Sequence, residues 1–456
     1  MSESLQPNRR EFIDSSAKTA ATLTVLGAAG STLAQGKTKG KAKSANDSLN
    51  VAVIGIRSRG MNHCEEWTQI PGVRVHTLCD VDENLFAERV AKVEQMQGVA
   101  PKTEVDLRRV FDNKEIDAVS IATVDHWHAL ATIWACQAGK HVYVEKPTSH
   151  NIWESRKMVE AARRYNRVVQ AGMQNRSIQG VIEGIKFLHE GGLGDVYMAK
   201  GLCFKPRDTI GKKLDAPIPN GVHYDLWLGP APYKPFNPNR FHYNWHWFWD
   251  YGCADLGNQG PHQLDIARWG LNKRVHPKKI KCVGGHYAFD DDQETPNQQF
   301  ATYEYDDGKI MQFEVRGLYT NDESEVKIGN LFFGSKGWMW LNGPNWKTFF
   351  GRKNEPGPSY DAKEAAADPM NLAGAGSSQH FINFVQAIKA NNWMLCTADI
   401  EEGHMSSSLA HLANVSYRLG RELTFDSYTE QFVDDALANE YLTRDYRFPY
   451  VIPEKF

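Results

Sequence analysis

The chain of 456 residues lacks a long apolar run, an excess of either charge and any patterned set of cysteines. No uncharged hydrophobic stretch reaches the roughly 18 to 20 residues that span a bilayer, so no membrane span is expected. Lysine and arginine number 52 against 55 aspartates and glutamates, a formal net charge of −3 at pH 7. That balance points to no polyanion, and a nucleic-acid partner is not expected. Seven cysteines, at 64, 79, 136, 203, 253, 282 and 396, show no metal-ligand spacing and are odd in number. Buried free thiols are expected, with no disulfide framework and no metal site. Internal repeats are absent too. The length exceeds one ordinary core, so two domains are expected.

The N-terminus reads as a targeting segment. Arg9 and Arg10 precede a weakly apolar stretch over residues 19–34. This looks like a twin-arginine signal over residues 1–34, cleaved after Ala34. Residues 35–48 then form a basic, flexible linker. The expected location is periplasmic or otherwise exported, and the odd, scattered cysteines fit export of an already folded protein.

Residues 49–56 are a Val- and Ile-rich run that reads as a buried strand. It leads into Gly55-Ile56-Arg57-Ser58-Arg59-Gly60. Against the dinucleotide pattern G-x-G-x-x-G, the outer glycines, Gly55 and Gly60, are present and Arg57 holds the middle position. Gly55 allows the tight turn, and Gly60 allows close strand–helix packing. Arg57 is a candidate bidentate phosphate partner, with Ser58 and Arg59 beside it on the turn. The next strand, residues 73–79, ends at Asp80, 25 residues beyond Gly55. An acid near this offset binds the adenosine ribose and repels a 2′-phosphate, favouring NAD over NADP. Capping of the next helix is the alternative role for Asp80, and Arg57 with Arg59 leave NADP open.

Further strands are expected at 116–123, 141–144 and 168–171, with helices over 127–138 and 152–165. Alternation of this kind implies a doubly wound parallel sheet. Ligands bind at the carboxyl edge of such a sheet. Thr123-Val124-Asp125-His126-Trp127-His128 lies on that edge. Thr123, His126 and His128 are candidate cofactor contacts, with helix capping or core packing as the plainer roles for the histidines. The run His141 to Pro147 ends in Glu145 and Lys146 on the same edge. A half-desolvated lysine exchanges protons near neutral pH. A surface Glu145–Lys146 pair is the alternative.

With the Gly55 turn, the SIATVDHWHALATIWACQAGKHVYVEKP segment and Gln170-Ala171-Gly172-Met173-Gln174-Asn175-Arg176, the chain resembles the Gfo/Idh/MocA oxidoreductases. These include glucose-fructose oxidoreductase and inositol dehydrogenase. The resemblance implies an α/β protein with an N-terminal Rossmann domain over residues 49–172. An α+β domain with a large, mostly antiparallel sheet follows over residues 173–456. It further implies a homo-oligomer. The family's Glu-Lys-Pro lysine is catalytic and touches the nicotinamide; here it is Lys146, with Glu145 and Gln174 beside the cofactor. The family's second motif places an aspartate four residues before a histidine. His262 takes the histidine position, with the implied role of sharing the acid/base work with Lys146, and Asn258 stands where the aspartate belongs. An amide orients a hydroxyl but takes no proton. Asp265 is placed to orient His262, or pairs with Arg268 along the helix face. Asp255 is the other nearby acid.

Residues 241–251 hold seven aromatics in eleven positions. Sugar C–H faces lie flat on such rings, so Trp245 and Trp247 are candidate substrate contacts; core packing is the alternative. Arg176 is a candidate substrate or cofactor contact. Strands are expected at 300–305, 310–315 and 329–333, a Gly-, Pro- and Ala-rich surface loop over 351–378, and helices at 379–389 and 400–419. His404 and His411 lie seven apart on the last helix and read as packed residues. The expected activity is NAD-dependent oxidation of a secondary alcohol on a sugar or polyol, with tightly bound cofactor. The alternative is glycoside cleavage through a transient keto-sugar, with no net redox change.

Overall fold

In the computed structural model, residues 48–367 and 376–456 are described. The twin-arginine and linker readings lie outside them, apart from Ser48. Six parallel strands form the first sheet: β1 (Leu49–Ile54), β2 (Val73–Cys79), β3 (Lys102–Glu104), β4 (Ala118–Ile121), β5 (His141–Val144) and β6 (Val169–Ala171). Their order is β3-β2-β1-β4-β5-β6. The order reverses between β1 and β4, where a crevice opens at the carboxyl edge. Helices cover both faces, so the central strands are apolar throughout. Val51, Ala52 and Val53 of β1 and Val142, Tyr143 and Val144 of β5 are wholly buried.

Helix α1 (Ser58–Thr68) follows the glycine turn after β1, α2 (Asp125–Gln137) follows β4, and α3 (Ile152–Arg164) follows β5. Asn151 caps α3 by accepting the Glu154 N–H. The expected strands and helices of this half are present, with ends shifted by a few residues.

A ten-stranded sheet makes up the second half. Its strands are β7 (Val196–Cys203), β8 (Lys279–Gly285), β9 (Gln298–Glu304), β10 (Ile310–Arg316), β11 (Ile328–Gly334), β12 (Gly337–Asn342), β13 (Asn345–Phe350), β14 (Glu355–Tyr360), β15 (Leu423–Asp426) and β16 (Gln431–Phe432). The order is β14-β13-β12-β11-β7-β10-β9-β8-β15-β16. Pairing is antiparallel except between β7 and β10. The surface loop expected over 351–378 is therefore incorrect in its described part, which holds β14 and a short helix, Ala362–Ala367. Pro356 and Pro358 misled the reading: β14 is an edge strand, where proline's missing N–H leaves no ladder bond unmade.

Helices α4 (Ala254–Asn258), α5 (Gly260–Gly270), α6 (Gly376–Lys389) and α7 (Ile400–Leu419) complete the elements that matter here. Asp399 caps α7 through the Glu401 N–H, and Gly420 ends it in the left-handed region. The helix packs on α3, α5, β6 and β8 and so joins the two sheets. Small residues allow the close approach: a Cβ on Gly403 would lie 2.7 Å from the side chains of Ala171 and Thr148.

Candidate active site

A cavity of about 800 Å³ runs along the carboxyl edge of the parallel sheet. One end is built from the glycine turn and β2. Gly55 has φ +80°, and a Cβ there would lie 2.6 Å from the Ala122 carbonyl oxygen. A Cβ on Gly60 would lie 1.8 Å from the Gly55 carbonyl oxygen, so strand and helix pack as the pattern requires. Arg57 has φ −72°, outside the left-handed region that demands glycine, and the turn forms with arginine in the middle position. Gly55, Arg57, Ser58, Arg59 and Asp80 all line the cavity.

Asp80 accepts the Ile56 N–H at 2.8 Å and the Asp82 N–H at 3.0 Å. It ties β2 to the turn; Asp82 is the residue that caps the following 3₁₀ turn. Burial raises the Asp80 carboxyl to about 6, against those backbone donors. A dinucleotide fits this end. Gly55 and Gly60 clear the turn, the first N–H groups of α1 have no intrahelical acceptor, and an acid stands where the ribose belongs.

The other end is built from β5, α4 and α5. Glu145 is its buried anchor. The Glu145 Oε1 accepts from Arg59 Nε at 2.9 Å and Gln174 Nε2 at 2.9 Å, and lies 3.0 Å from His63 Nε2. Burial opposes its charge, but Arg59 and His63 together hold the carboxyl well below the ordinary range. Only glycine fits behind it, since a Cβ on Gly172 would lie 2.9 Å from the Glu145 Oε1. The next residue, Lys146, donates from Nζ to the Asn258 carbonyl at 2.6 Å and to its Oδ1 at 3.3 Å. Asn258 in turn donates through Nδ2 to Asp255 at 3.2 Å, which fixes the amide with its oxygen toward the lysine. Burial lowers the Lys146 pKa, partly countered by Glu145 and Asp125. His262 lines the same cavity. Burial, with Lys146 nearby, brings its imidazole down to about 3. The ring is therefore neutral, and its Nδ1 has no hydrogen-bond partner among the described residues.

Thr123, His128, Glu145, Gln174, Trp245 and Asn258 also line the cavity. Six expected residues stand elsewhere. Arg176 is buried and forks onto Asp265, with both contacts at 2.8 Å, and it also reaches Glu402. Asp265 is thereby occupied by Arg176, Ser406 and Arg268, not by His262. The expectation that it orients the imidazole is corrected: one helical turn carries both residues, but their side chains leave it in different directions. His126 is buried against Trp227 with Nε2 on that residue's carbonyl, which is the packed alternative. Trp247 is buried beneath the Arg207 guanidinium. Asp255 pairs with Arg207 and reaches Lys146 only through Asn258. Gly60 lies behind the turn. Most of the aromatic belt is core, while Phe241, Tyr243 and Trp245 border the cavity.

Sequence reasoning missed three groups. His63 braces Glu145 from within α1. His246 borders the cavity and stacks on Trp245. Asp125, the first residue of α2, lines the cavity, and its Oδ2 has no hydrogen-bond partner among the described residues. Burial raises the Asp125 carboxyl well above its ordinary range, and Lys146 opposes this. Its place at a helix start after a parallel strand was the available signal.

A parallel sheet with a glycine turn, closed at its carboxyl edge by a second sheet's helices, defines a dinucleotide-binding two-sheet protein. Residues 49–173 match the model of an oxidoreductase family, NAD-binding Rossmann fold. Residues 201–452 match that family's C-terminal alpha/beta domain. The chain belongs to the Gfo/Idh/MocA oxidoreductase family and carries its NAD-binding domain.

Among curated relatives, a glycosyl hydrolase family 109 protein of Shewanella putrefaciens is 29% identical over 122 residues, 26% of this chain and 27% of that one. Inositol 2-dehydrogenase 2 of Saccharopolyspora erythraea is 27% identical over 229 residues, 50% of this chain and 55% of that one. The chain thus spans about a quarter of the length of the glycosyl hydrolase relative and about half that of the dehydrogenase. Aldose-aldose oxidoreductase from Caulobacter crescentus, complexed with glycerol, is similar in fold. Its TM-score is 0.62 at 17% identity, covering 83% of this chain and 100% of that one. Levoglucosan dehydrogenase, in complex with NADH and levoglucosan, has a TM-score of 0.63 at 17% identity, covering 85% and 99%.

Proposed function

We propose that the protein oxidises a secondary alcohol of a sugar or polyol, with NAD held in the cavity. The observation that carries this is the meeting of Lys146, just beyond β5, and His262, on α5, in the cavity that the glycine turn opens. Residues from the Gly55 turn to Asp80 would hold the adenosine and phosphates, and Lys146 and Gln174 the nicotinamide end. When bound, NAD supplies the hydride acceptor. Lys146, its amine made less basic by burial, takes the hydroxyl proton. Burial lowers the His262 pKa to about 3, so the imidazole is neutral near pH 7, too weak a base for this step, and serves as a hydrogen-bonding group. Asn258 holds Lys146 through two oxygens and takes no proton itself. Trp245 offers a face for the sugar ring. Asp80 disfavours a 2′-phosphate, supporting NAD over NADP.

A second reading is glycoside cleavage, in which the same oxidation acidifies a neighbouring C–H, the aglycone leaves, and the hydride returns. The similarity to glycosyl hydrolase family 109 proteins supports it. One experiment separates the two. The full chain is incubated with NAD and a panel of sugars, polyols and chromogenic glycosides, while nicotinamide absorbance and aglycone release are followed separately. Reduced nicotinamide without aglycone supports the dehydrogenase, and aglycone without net reduction supports the second reading. Neither signal across the panel overturns both.

Export by the twin-arginine route belongs to this proposal and is carried by Arg9 and Arg10. Loss of export of the full chain on Arg9→Lys/Arg10→Lys tests it. All seven cysteines are buried and free. No helix among the described residues is long and apolar enough to cross a membrane. A homo-oligomer belongs to it too. Val283 opposes Phe300 on the open face of the large sheet, and both are exposed; light scattering of the purified chain tests this.

A further inference from the structure

Away from the cavity, three side chains from separate segments converge. His276 leads into β8, His404 lies on α7, and Glu430 lies in the turn between β15 and β16. The His404 Nε2 is 2.8 Å from the Glu430 Oε1, and the His276 Nε2 is 3.4 Å from the same oxygen. The two Nε2 atoms are 3.4 Å apart. Both imidazoles are buried.

The His404 Nδ1 lies 2.7 Å from the Ser155 hydroxyl, which also reaches the Ile152 carbonyl at 2.9 Å. With the ring proton on that Nδ1, given to Ser155, the His404 Nε2 presents a lone pair toward the carboxylate oxygen, and the second Nε2 is turned to the same point. A cation at that point would be shared by all three atoms. Zinc–nitrogen bonds of about 2.0–2.1 Å at tetrahedral angles set ligand atoms about 3.3–3.4 Å apart. Two of the three observed spacings have that value, and the third is compressed.

We propose that His276 Nε2, His404 Nε2 and Glu430 Oε1 bind one divalent cation of the zinc class, with water completing the shell. Two histidines and a carboxylate suit such an ion. Ser155 braces the His404 ring from behind through Nδ1. Arg156 donates to both Glu430 oxygens, at 2.7 and 3.0 Å, and holds the carboxylate in place. Such outer contacts orient metal ligands. Arg156 also spans to Glu401, so the local charge without the ion is one negative and tolerates a dication. The ion would pin α7, the approach to β8 and the β15–β16 turn together. It lies outside the cavity and serves structure.

The test is metal analysis of the full chain, purified without a histidine tag or chelator, exposed to zinc and dialysed. About one equivalent is expected in the wild type, and less than about a tenth in His276→Ala and in His404→Ala. The surface variant His189→Ala keeps the wild-type content. Cobalt substitution gives a second readout that needs no variant: the expected visible absorption is that of a four-coordinate ion. A wild type that retains less than a tenth of an equivalent, as a proton shared between His404 and Glu430 would leave it, overturns the proposal. So does full metal content in the His276→Ala/His404→Ala double variant.

Discussion

Replacing Asp265 should weaken the fold before it touches the chemistry. Its carboxylate takes two bonds from Arg176 at 2.8 Å and one from Ser406 at 2.7 Å, and Arg268 stands at 3.5 Å. All four side chains are buried. Asp265→Ala strands two guanidinium groups, leaving Glu402 as their remaining carboxylate. Breaking a buried ion pair by removing one partner costs about 3–5 kcal/mol. Unfolding entropy of about 2.1 cal/mol/K per residue makes that a fall of roughly 3–5 °C in Tm for a chain this long. Burial opposes the Asp265 charge, but Arg176, Arg268 and Ser406 together hold its pKa below the ordinary value. A depressed carboxyl contributes stability above its unfolded pKa, about 3.9. The deficit of the variant should therefore be constant above about pH 5 and shrink below about pH 4. Thermal denaturation followed by circular dichroism across pH measures both. A variant as stable as wild type, with turnover lost and the pH profile displaced, would refute the assignment and return Asp265 to the side of His262.

Two further outcomes follow from the site. Gly60→Ala puts a Cβ 1.8 Å from the Gly55 carbonyl oxygen. The turn must open, and NAD affinity by fluorescence titration should fall at least about tenfold; unchanged affinity would contradict the packing argument. Asn258→Asp places a carboxylate where an amide oxygen stands 3.3 Å from the Lys146 Nζ. An opposite charge at this range favours the protonated amine, so the limb on which activity rises with pH should move up by about one to three pH units. A limb that stays in place would exclude Lys146 as the group that titrates.

Much of this was legible in the primary structure because parallel strands write themselves plainly. Residues 73–79 and 141–144 read as strand runs, mostly buried, and β2 and β5 occupy those ranges. Lys146 and Asp80 were found for the same reason, since each ends such a run. Side-chain direction was not legible. Arg176 stands two residues beyond Gln174 yet turns into the ion network with Asp265, while Gln174 faces the cavity. No periodicity separates them, because both lie in a 3₁₀ turn of four residues. Long-range partners were equally hidden. Nothing near His63 in sequence announces Glu145, and nothing near His276 announces Glu430; topology alone brings them together. The prolines of β14 show the converse, a local signal overruled by position at the edge of a sheet.

Single-turnover reduction of NAD by the full chain and its Lys146→Met variant tests the central claim most directly, using whichever substrate the panel yields, with nucleotide binding measured in parallel. Methionine keeps the length and removes the amine. The nucleotide should stay bound, held by the Gly55 turn and Asp80, while the rate of nicotinamide reduction falls by about 10²–10⁴-fold. A variant that reduces NAD within a few-fold of the wild-type rate would contradict the claim that the Lys146 amine takes the substrate proton.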